Sequence, residues 1–280
     1  MAREHRFFTQ DLTDLSAFQK QMTFSDSLES SIFFQLTKVL RVKPGDSVCL
    51  LAPVFEGSEN TEFLYSVTDT NKKAVVLSLT TKRVNRNELS YELDLLLCLP
   101  NSPDKLSFIV QKSVELGVKN IFLVESDYSR MNQKLREDRL SRIVSEAAEQ
   151  SERAVLPRIV LEHNLTKFLE TQAQLPQKKQ IYAAVERLDD FIAENGSESN
   201  QLLSNGENSD LVKTKKTSFG FFEKADVSNG VMVLVGPEGG FSEAEKALIS
   251  QQCKGFSLGK RILRMETAAI VALGIFALKN

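Results

Sequence analysis

The rhythm of hydrophobic and polar positions changes once along the chain, near residue 89. Before it lie short β-like runs, SVCLLAP (47–53), EFLYSVTD (62–69) and KAVVLSL (73–79). Turn signals at Pro44-Gly45-Asp46 and Gly57-Ser58 separate them, and strands spaced so closely predict a small barrel over residues 1–86. After it, apolar runs of strand length alternate with helical periods. LDLLLCLP (93–100) reads as a buried strand, and Ser102-Pro103 as an N-cap followed by an N1 proline. Leu106, Ile109, Val110 and Val114 form one helical face, with Gly117 as its C-cap. A strand at 118–124 follows, then a helix with Leu140, Ile143, Val144, Ala147 and Ala148 on one side, then strands at 181–186 and 231–235. Such alternation over residues 89–280 predicts an α/β domain whose parallel sheet is covered on both faces. The polar stretch at 190–222, rich in serine, asparagine and charge, reads as a surface insertion.

Two segments carry the chemistry. VMVLVGPEGGFSEAE (231–245) is a strand that breaks at Gly236-Pro237 and re-enters a helix through the capping box Ser242-x-x-Glu245. Gly239 and Gly240 lack a Cβ, so backbone amides there can approach a ligand and positive φ is tolerated. SLGKRILRMETAAIVAL (257–273) repeats the scheme: a short strand, Gly259, a loop with Arg261 and Arg264, then an apolar helix opening at Glu266-Thr267. Together they predict one bipartite pocket made mainly of backbone.

Composition narrows the function classes. The 280-residue chain is 42% hydrophobic and 26% charged, as in soluble globular proteins. The start has no signal-peptide pattern, and the longest apolar run (268–278) is too short to span a bilayer. Cys49, Cys98 and Cys253 lie far apart without a C-x-x-C pair, which argues against a zinc site and a disulfide framework and suits a reducing cytosol. A net charge of −2 leaves nucleic-acid binding to local patches. The candidates are Arg3 with Arg6; Lys38, Arg41 and Lys43; Lys82, Arg83 and Arg86; Arg139, Arg142 and Arg153; and Lys260, Arg261 and Arg264. A solvated face is the competing reading for each.

GPEGGFS…E followed by SLG-x-RILR-x-ETA resembles the RsmE family, the 16S ribosomal RNA uridine N3-methyltransferases of the SPOUT superfamily. QKSVELGV (111–118), EAAEQSERAVLP (146–157), RFF (6–8) and KVLRVKPGD (38–46) extend the resemblance, in order, over nearly the whole chain. It implies a PUA-like RNA-binding barrel, then a SPOUT-type trefoil-knotted parallel sheet in which the last helix threads through the loop before it. It also implies a cytoplasmic homodimer, S-adenosylmethionine as cofactor, and 16S rRNA of the small ribosomal subunit as substrate. Two departures stand out. Phe34 and Gln35 replace a family histidine, and Tyr128 stands where an arginine precedes the serine, with Arg130 two residues on.

The implied cofactor contacts are Leu234, Gly236, Glu238, Gly239, Gly240, Leu258, Gly259, Ile262, Leu263, Met265, Thr267 and Ala268. Leu258, Ile262 and Leu263 would wall an adenine or serve as plain core. Glu238 would orient ribose hydroxyls or stabilise its own loop. Thr267 and Ala268 open a helix whose first amides are free. Arg6, Lys38, Arg41, Lys43 and Arg130 are the implied RNA contacts. For catalysis, methylation at N3 must displace a proton or stabilise the uridine anion. Arg264, Arg153, Glu149 and Gln150 are the candidates. Against this, Arg264 could pair with Glu266, and Glu149 with Arg153 at i,i+4. Methylation at C5 would need a cysteine nucleophile, and none lies in a motif loop. Two other classes compete: an RNA-binding module without chemistry, and a dinucleotide-binding Rossmann enzyme. The second lacks G-x-G-x-x-G after its first strand.

Overall fold

The computed structural model describes residues 4–9, 19–25, 31–51, 61–85, 87–129, 135–186 and 225–279. Arg3, Arg86, Arg130, the turn at Gly57-Ser58 and the 190–222 insertion lie outside the described residues. Two compact units divide the chain: Met1–Glu88 with Val144–Leu156, and Leu89–Ile143 with Pro157–Asn280.

The first unit contains β1 (His5–Phe8), β2 (Gln21–Ser25), α1 (Ser31–Phe34) running into a π-helical turn (Gln35–Val39), β3 (Ser47–Leu51), β4 (Thr61–Thr70) and β5 (Ala74–Val84). The strands form a sheet in the order β1-β3-β4-β5-β2, with β1 parallel to β3 and the other pairs antiparallel. Period-two alternation sends Val48 and Leu50, Phe63, Tyr65 and Val67, and Val75 and Leu77 to one core, which Ile32, Phe33 and Leu36 join. Residues 52–53, expected to prolong β3, lie outside the described residues.

Polar groups tie the rest of this unit together. Glu62 is 1% exposed and accepts from Arg6, from Asn85, and from Arg83 Nε at 2.5 Å. Burial alone would push its carboxyl up, but these donors outweigh burial and hold it below the carboxylate range. The carbonyl of Glu152 accepts from Asn85 Nδ2 at 3.0 Å and Asn87 Nδ2 at 3.2 Å. Glu152 has a φ of 59°, which ends the preceding helix in the left-handed region. Next to it, Arg153 Nη2 meets Glu88 Oε2 at 2.8 Å, and Glu88 Oε1 takes the amides of Ala154 and Val155 at 3.1 Å each. The stretch Val144–Leu156 is thus fastened by a carbonyl on one side and a carboxylate on the other.

The second unit holds β6 (Leu93–Cys98), α2 (Pro103–Glu115), β7 (Asn120–Val124), β8 (Arg158–Glu162), α4 (Leu165–Gln174), β9 (Gln180–Ala184), β10 (Val231–Val235), α5 (Glu243–Gln252), β11 (Lys254–Phe256) and α6 (Met265–Ala277). Helix α3 (Glu137–Gln150) has its first half here and its second in the first unit. All six strands are parallel, in the order β11-β9-β10-β6-β7-β8. Every residue of β6 and β10 is buried, as expected of central strands covered on both faces. Met232, Leu234, Ile181 and Ala183 pack with Phe168 and Leu169 of α4 and Ile249 of α5. Tyr182, of opposite parity, stacks on Phe276 of α6 at 4.9 Å. α4 and α5 therefore lie on one face, and α6 lies on the other with α2 packed beside it.

Local signals account for most helix ends. Pro103 occupies the first turn of α2, although Ser102 makes no side-chain cap bond. Gly117 follows that helix with a φ of 85°. Strand β8 and helix α4 are additions to the sequence reading; Asn164 caps α4 by accepting from Lys167 N at 2.8 Å. No helix among the described residues is long and apolar enough to cross a membrane.

The Glu88 clamp yields a stability prediction. Glu88→Ala leaves Arg153, whose side chain is 4% exposed, without its carboxylate and strands two amides. The cost should reach about 3 kcal/mol, read as a lowered denaturation midpoint. Glu88→Gln should recover part of it, because an amide oxygen still accepts from the backbone.

Candidate active site

Strand direction places the site. In a parallel sheet every strand ends on the same edge, and register brings Leu97, Val235, Ala184 and Phe256 to that edge side by side. The loops after β6, β7, β10 and β11 all leave from it. Neighbours β6 and β10 then part company: β6 leads to α2 on one face, and β10 to α5 on the other. Divergence of this kind opens a crevice at the carboxyl edge, where open α/β sheets bind ligands.

The loop after β10 is built from close approaches. A Cβ on Gly236 would meet the Phe241 ring at 2.7 Å, and one on Gly239 would meet Tyr128 Cβ at 3.2 Å. Gly240 has a φ of 74° with open space where a Cβ would stand, and its amide closes a turn onto Pro237 O at 3.0 Å. Both halves of the capping box form: Ser242 N donates to Glu245 Oε2 at 2.9 Å, and Glu245 N to Ser242 Oγ at 3.3 Å. Glu245 is 3% exposed, and its second oxygen accepts from Asp127 N at 2.9 Å, while Ser242 Oγ donates to Asp127 Oδ2 at 2.6 Å. The helix cap therefore also fastens the turn after β7.

Glu238 is bound from α2. Lys105 Nζ donates to it at 2.8 Å, and Asn101 N lies 3.4 Å from each carboxylate oxygen. Burial would raise the Glu238 carboxyl, but Lys105 and the amides hold it below the usual range. The loop-stabilising reading of Glu238 is thus the one seen among the described residues.

The loop after β11 contributes Gly259, with a φ of 116° and empty space at its Cβ position, and a half-buried Leu258 and Leu263. Lys260, Arg261, Ile262 and Arg264 are exposed. No side-chain bond or ion pair of Arg264 occurs among the described residues, so its anticipated pairing with Glu266 is absent there. The first intrahelical bond of α6 runs from Ala268 N to Arg264 O at 2.8 Å, so the amides of Met265, Glu266 and Thr267 have no acceptor within the helix. Glu266 Oε2 is buried without a hydrogen-bond partner among the described residues. The helix begins at Met265, just before the Glu266-Thr267 opening expected from sequence.

Among the expected cofactor contacts, Leu234 is fully buried in the cluster beneath α4 and α5, so its side chain is core. Met265 is buried too, while Thr267 is exposed and Ala268 half-buried. Asn101, Lys105, Asp127 and Phe241 were not singled out from sequence. Asn101, Lys105 and Asp127 matter through partners distant in the chain, whereas Phe241 packs on Gly236 within its own motif.

The model of the RNA methyltransferase domain family matches residues 87–277. The chain belongs to that family. It is 27% identical over 263 residues to the ribosomal RNA small subunit methyltransferase E of Buchnera aphidicola subsp. Schizaphis graminum, covering 90% of each chain. To the protein of the same name from Bacillus subtilis it is 28% identical over 244 residues, covering 85% of this chain and 84% of that one. Among solved structures, it superposes on a ribosomal RNA small subunit methyltransferase E from Neisseria gonorrhoeae bound to S-adenosyl methionine. There the TM-score is 0.67 with 24% identity, covering 97% and 95% of the two chains.

Apart from Arg130, the other expected residues of this RNA methyltransferase-family chain belong to the first unit. Arg6, expected at RNA, is 7% exposed and committed to Glu62 and Glu4. Lys38, Arg41 and Lys43 are exposed, and Phe34 beside them is 59% exposed. Arg130 lies outside the described residues. Gln150 is exposed. Glu149 accepts from Phe8 N at 3.1 Å and Arg153 pairs with Glu88, so the i,i+4 bridge between them gives way to longer-range partners. Glu4, Cys49 and Glu62 bring ligand-type atoms together, but Arg6 and Arg83 already occupy both carboxylates.

Glu149 generates a pH prediction. Burial pushes its carboxyl from 4.5 up to about 6, the Phe8 amide opposes the rise, and Glu146 adds to it. The folded value lies above the unfolded one, so this group favours folding most below pH 4.5 and loses that contribution as pH climbs through about 6. Glu149→Gln, which keeps an oxygen for Phe8 N, should flatten the stability profile across this window by up to about 2 kcal/mol. Urea denaturation at pH steps from 4 to 7 checks it; parallel profiles for the two proteins would refute it.

Proposed function

We propose that this chain transfers the methyl group of S-adenosylmethionine to N3 of a uridine in 16S rRNA of the small ribosomal subunit. The observation that carries the reading is that the GPEGG and SLG-x-RILR loops leave from one sheet edge, where β6 and β10 send their chains to opposite faces. Membership of the RNA methyltransferase family and the names of relatives aligned along most of the chain support it.

The residues present fit such a cofactor. Open space beside Gly240 and Gly259, free amides at the start of α6 and the unpartnered Glu266 Oε2 offer room, donors and one acceptor for a polar, partly cationic ligand. When bound, S-adenosylmethionine supplies an electrophilic methyl on a sulfonium. Gly236, Glu238, Gly239 and Gly240 would hold it from the β10 loop. Leu258, Gly259, Ile262, Leu263, Met265, Thr267 and Ala268 would hold it from the other, with Leu234 contributing backbone beneath. Lys105 fixes Glu238 and so the shape of the first loop.

Methylation at N3 would require its proton to pass first to solvent, leaving an anion whose negative charge is shared with the flanking uracil carbonyls, and bound S-adenosylmethionine would supply the methyl that this nitrogen takes up. Arg264, exposed and without a partner among the described residues, is assigned to stabilise that charge. Arg153, held by Glu88, positions the end of α3, which presents Glu149 and Gln150. No cysteine nucleophile is used: burial pushes Cys49 and Cys253 up to about 12 and Cys98 higher still. Lys38, Arg41 and Lys43 are assigned to phosphate contacts.

The same reading extends to finer architecture: a PUA-like barrel for the N-terminal strands, a trefoil knot around α6, a homodimer, and a cytoplasmic site of action. Close strand spacing favours the barrel. The other three follow from the resemblance of the motifs.

Isotope-labelled methyl transfer to small-subunit rRNA, with mass mapping of the product nucleoside, tests the reaction. Thermal stabilisation by NAD and not by S-adenosylmethionine would favour a dinucleotide enzyme instead. Arg264→Ala should lower the single-turnover rate by about 100-fold while leaving the affinities for cofactor and RNA nearly unchanged. A near-normal rate would return Arg264 to a surface role.

A further inference from the structure

The turn after β7 presents an aromatic side chain in a way its own fold does not require. Ser126 and Ser129 exchange backbone hydrogen bonds at 2.9 and 3.1 Å, and their hydroxyls meet at 2.9 Å, both side chains buried. Asp127 and Tyr128 form the tip. Asp127 is fastened twice to the α5 cap, through its amide to Glu245 and its carboxylate to Ser242. Tyr128 leans on Gly239, close enough that a Cβ there would meet its Cβ at 3.2 Å and its ring at 3.8 Å. Yet the side chain is 61% exposed, and its hydroxyl has no hydrogen bond among the described residues.

An exposed aromatic ring is therefore carried on a doubly anchored turn, beside the glycine loop, at the edge where the site opens. Rigid, exposed aromatic faces are how proteins take up unstacked nucleobases, because every base has a π-face. An enzyme acting on a ring atom of a base must hold that base out of its stack. Lys260, Arg261 and Arg264 are also exposed on a loop leaving this edge, giving the charge that a polynucleotide needs and that a neutral ligand does not. We propose that Tyr128 is the stacking platform for the RNA base presented for methylation. The proposal rests on the methyl-transfer reading above and adds the residue that seats the substrate.

The chain contains no tryptophan, so Tyr128→Trp places a single one at the tip of this turn. Its emission is measured during titration with small-subunit rRNA in the presence of S-adenosylhomocysteine, and separately with S-adenosylhomocysteine alone. Stacking predicts quenching that saturates with RNA binding and little change from the nucleoside alone. Quenching by S-adenosylhomocysteine alone would put the ring on the cofactor's adenine and overturn the proposal. RNA binding with unaltered emission would overturn it as well. In parallel, Tyr128→Ala should weaken RNA binding or lower the single-turnover rate by about tenfold or more, with cofactor affinity unchanged and Tyr128→Phe near wild type. Methyl transfer by the wild-type chain is scored independently. Its absence would sink the reading of function, whereas the emission titration alone decides the placement of Tyr128.

Discussion

Because β10 is hydrogen-bonded in parallel to both β9 and β6, the chain must leave it on the edge that β6, β7 and β11 also use. That pairing satisfies the backbone polar groups of a strand buried on every side, where an unpaired group would be costly. The sheet's stability and the site's location are consequently one requirement. Shifting β10 in the order would expose its hydrophobic faces and separate the two motif loops together.

Around this edge, single residues serve two neighbours. Glu245 completes the cap of α5 with one oxygen and fixes the turn after β7 with the other. Lys105, from the first turn of α2, neutralises the one carboxylate carried by the glycine loop. Both carboxylates are thereby held in place by partners from neighbouring elements before any ligand arrives. Preorganisation of this kind keeps ordering entropy out of the binding step and leaves the amides at the start of α6 without an acceptor inside their helix.

The first unit relies on charge as well as on its apolar core. Glu62 and Glu88 are carboxylates with guanidinium and amide donors converging on them, an arrangement in which loss of one partner costs far more than the pair contributes. Arg6 and Arg153 look in the sequence like members of basic patches. In the fold they are spent on these carboxylates, whereas Lys38, Arg41 and Lys43 are exposed.

Signals carried by neighbours in the chain were legible beforehand. The apolar runs of β6, β7, β9 and β10, Pro103 and Gly117 bounding α2, and the Ser242–Glu245 box were read from residues at most a few positions apart. So were the glycines of the two loops, since backbone that must turn sharply or make room leaves a mark in composition. Strand β8 and helix α4 were missed, although Asn164 before the helical period of Leu165, Phe168 and Leu169 was a usable signal. What only the tertiary structure decided is partnership across long separations. It set the strand order, the membership of Val144–Leu156 in the first unit, Lys105 on Glu238, Arg153 on Glu88 rather than Glu149, and Tyr128 against Gly239. Helical and strand periods say which face of an element is apolar. They do not say which distant element will cover it, and a charged or aromatic side chain takes its role from the partner that packing brings to it.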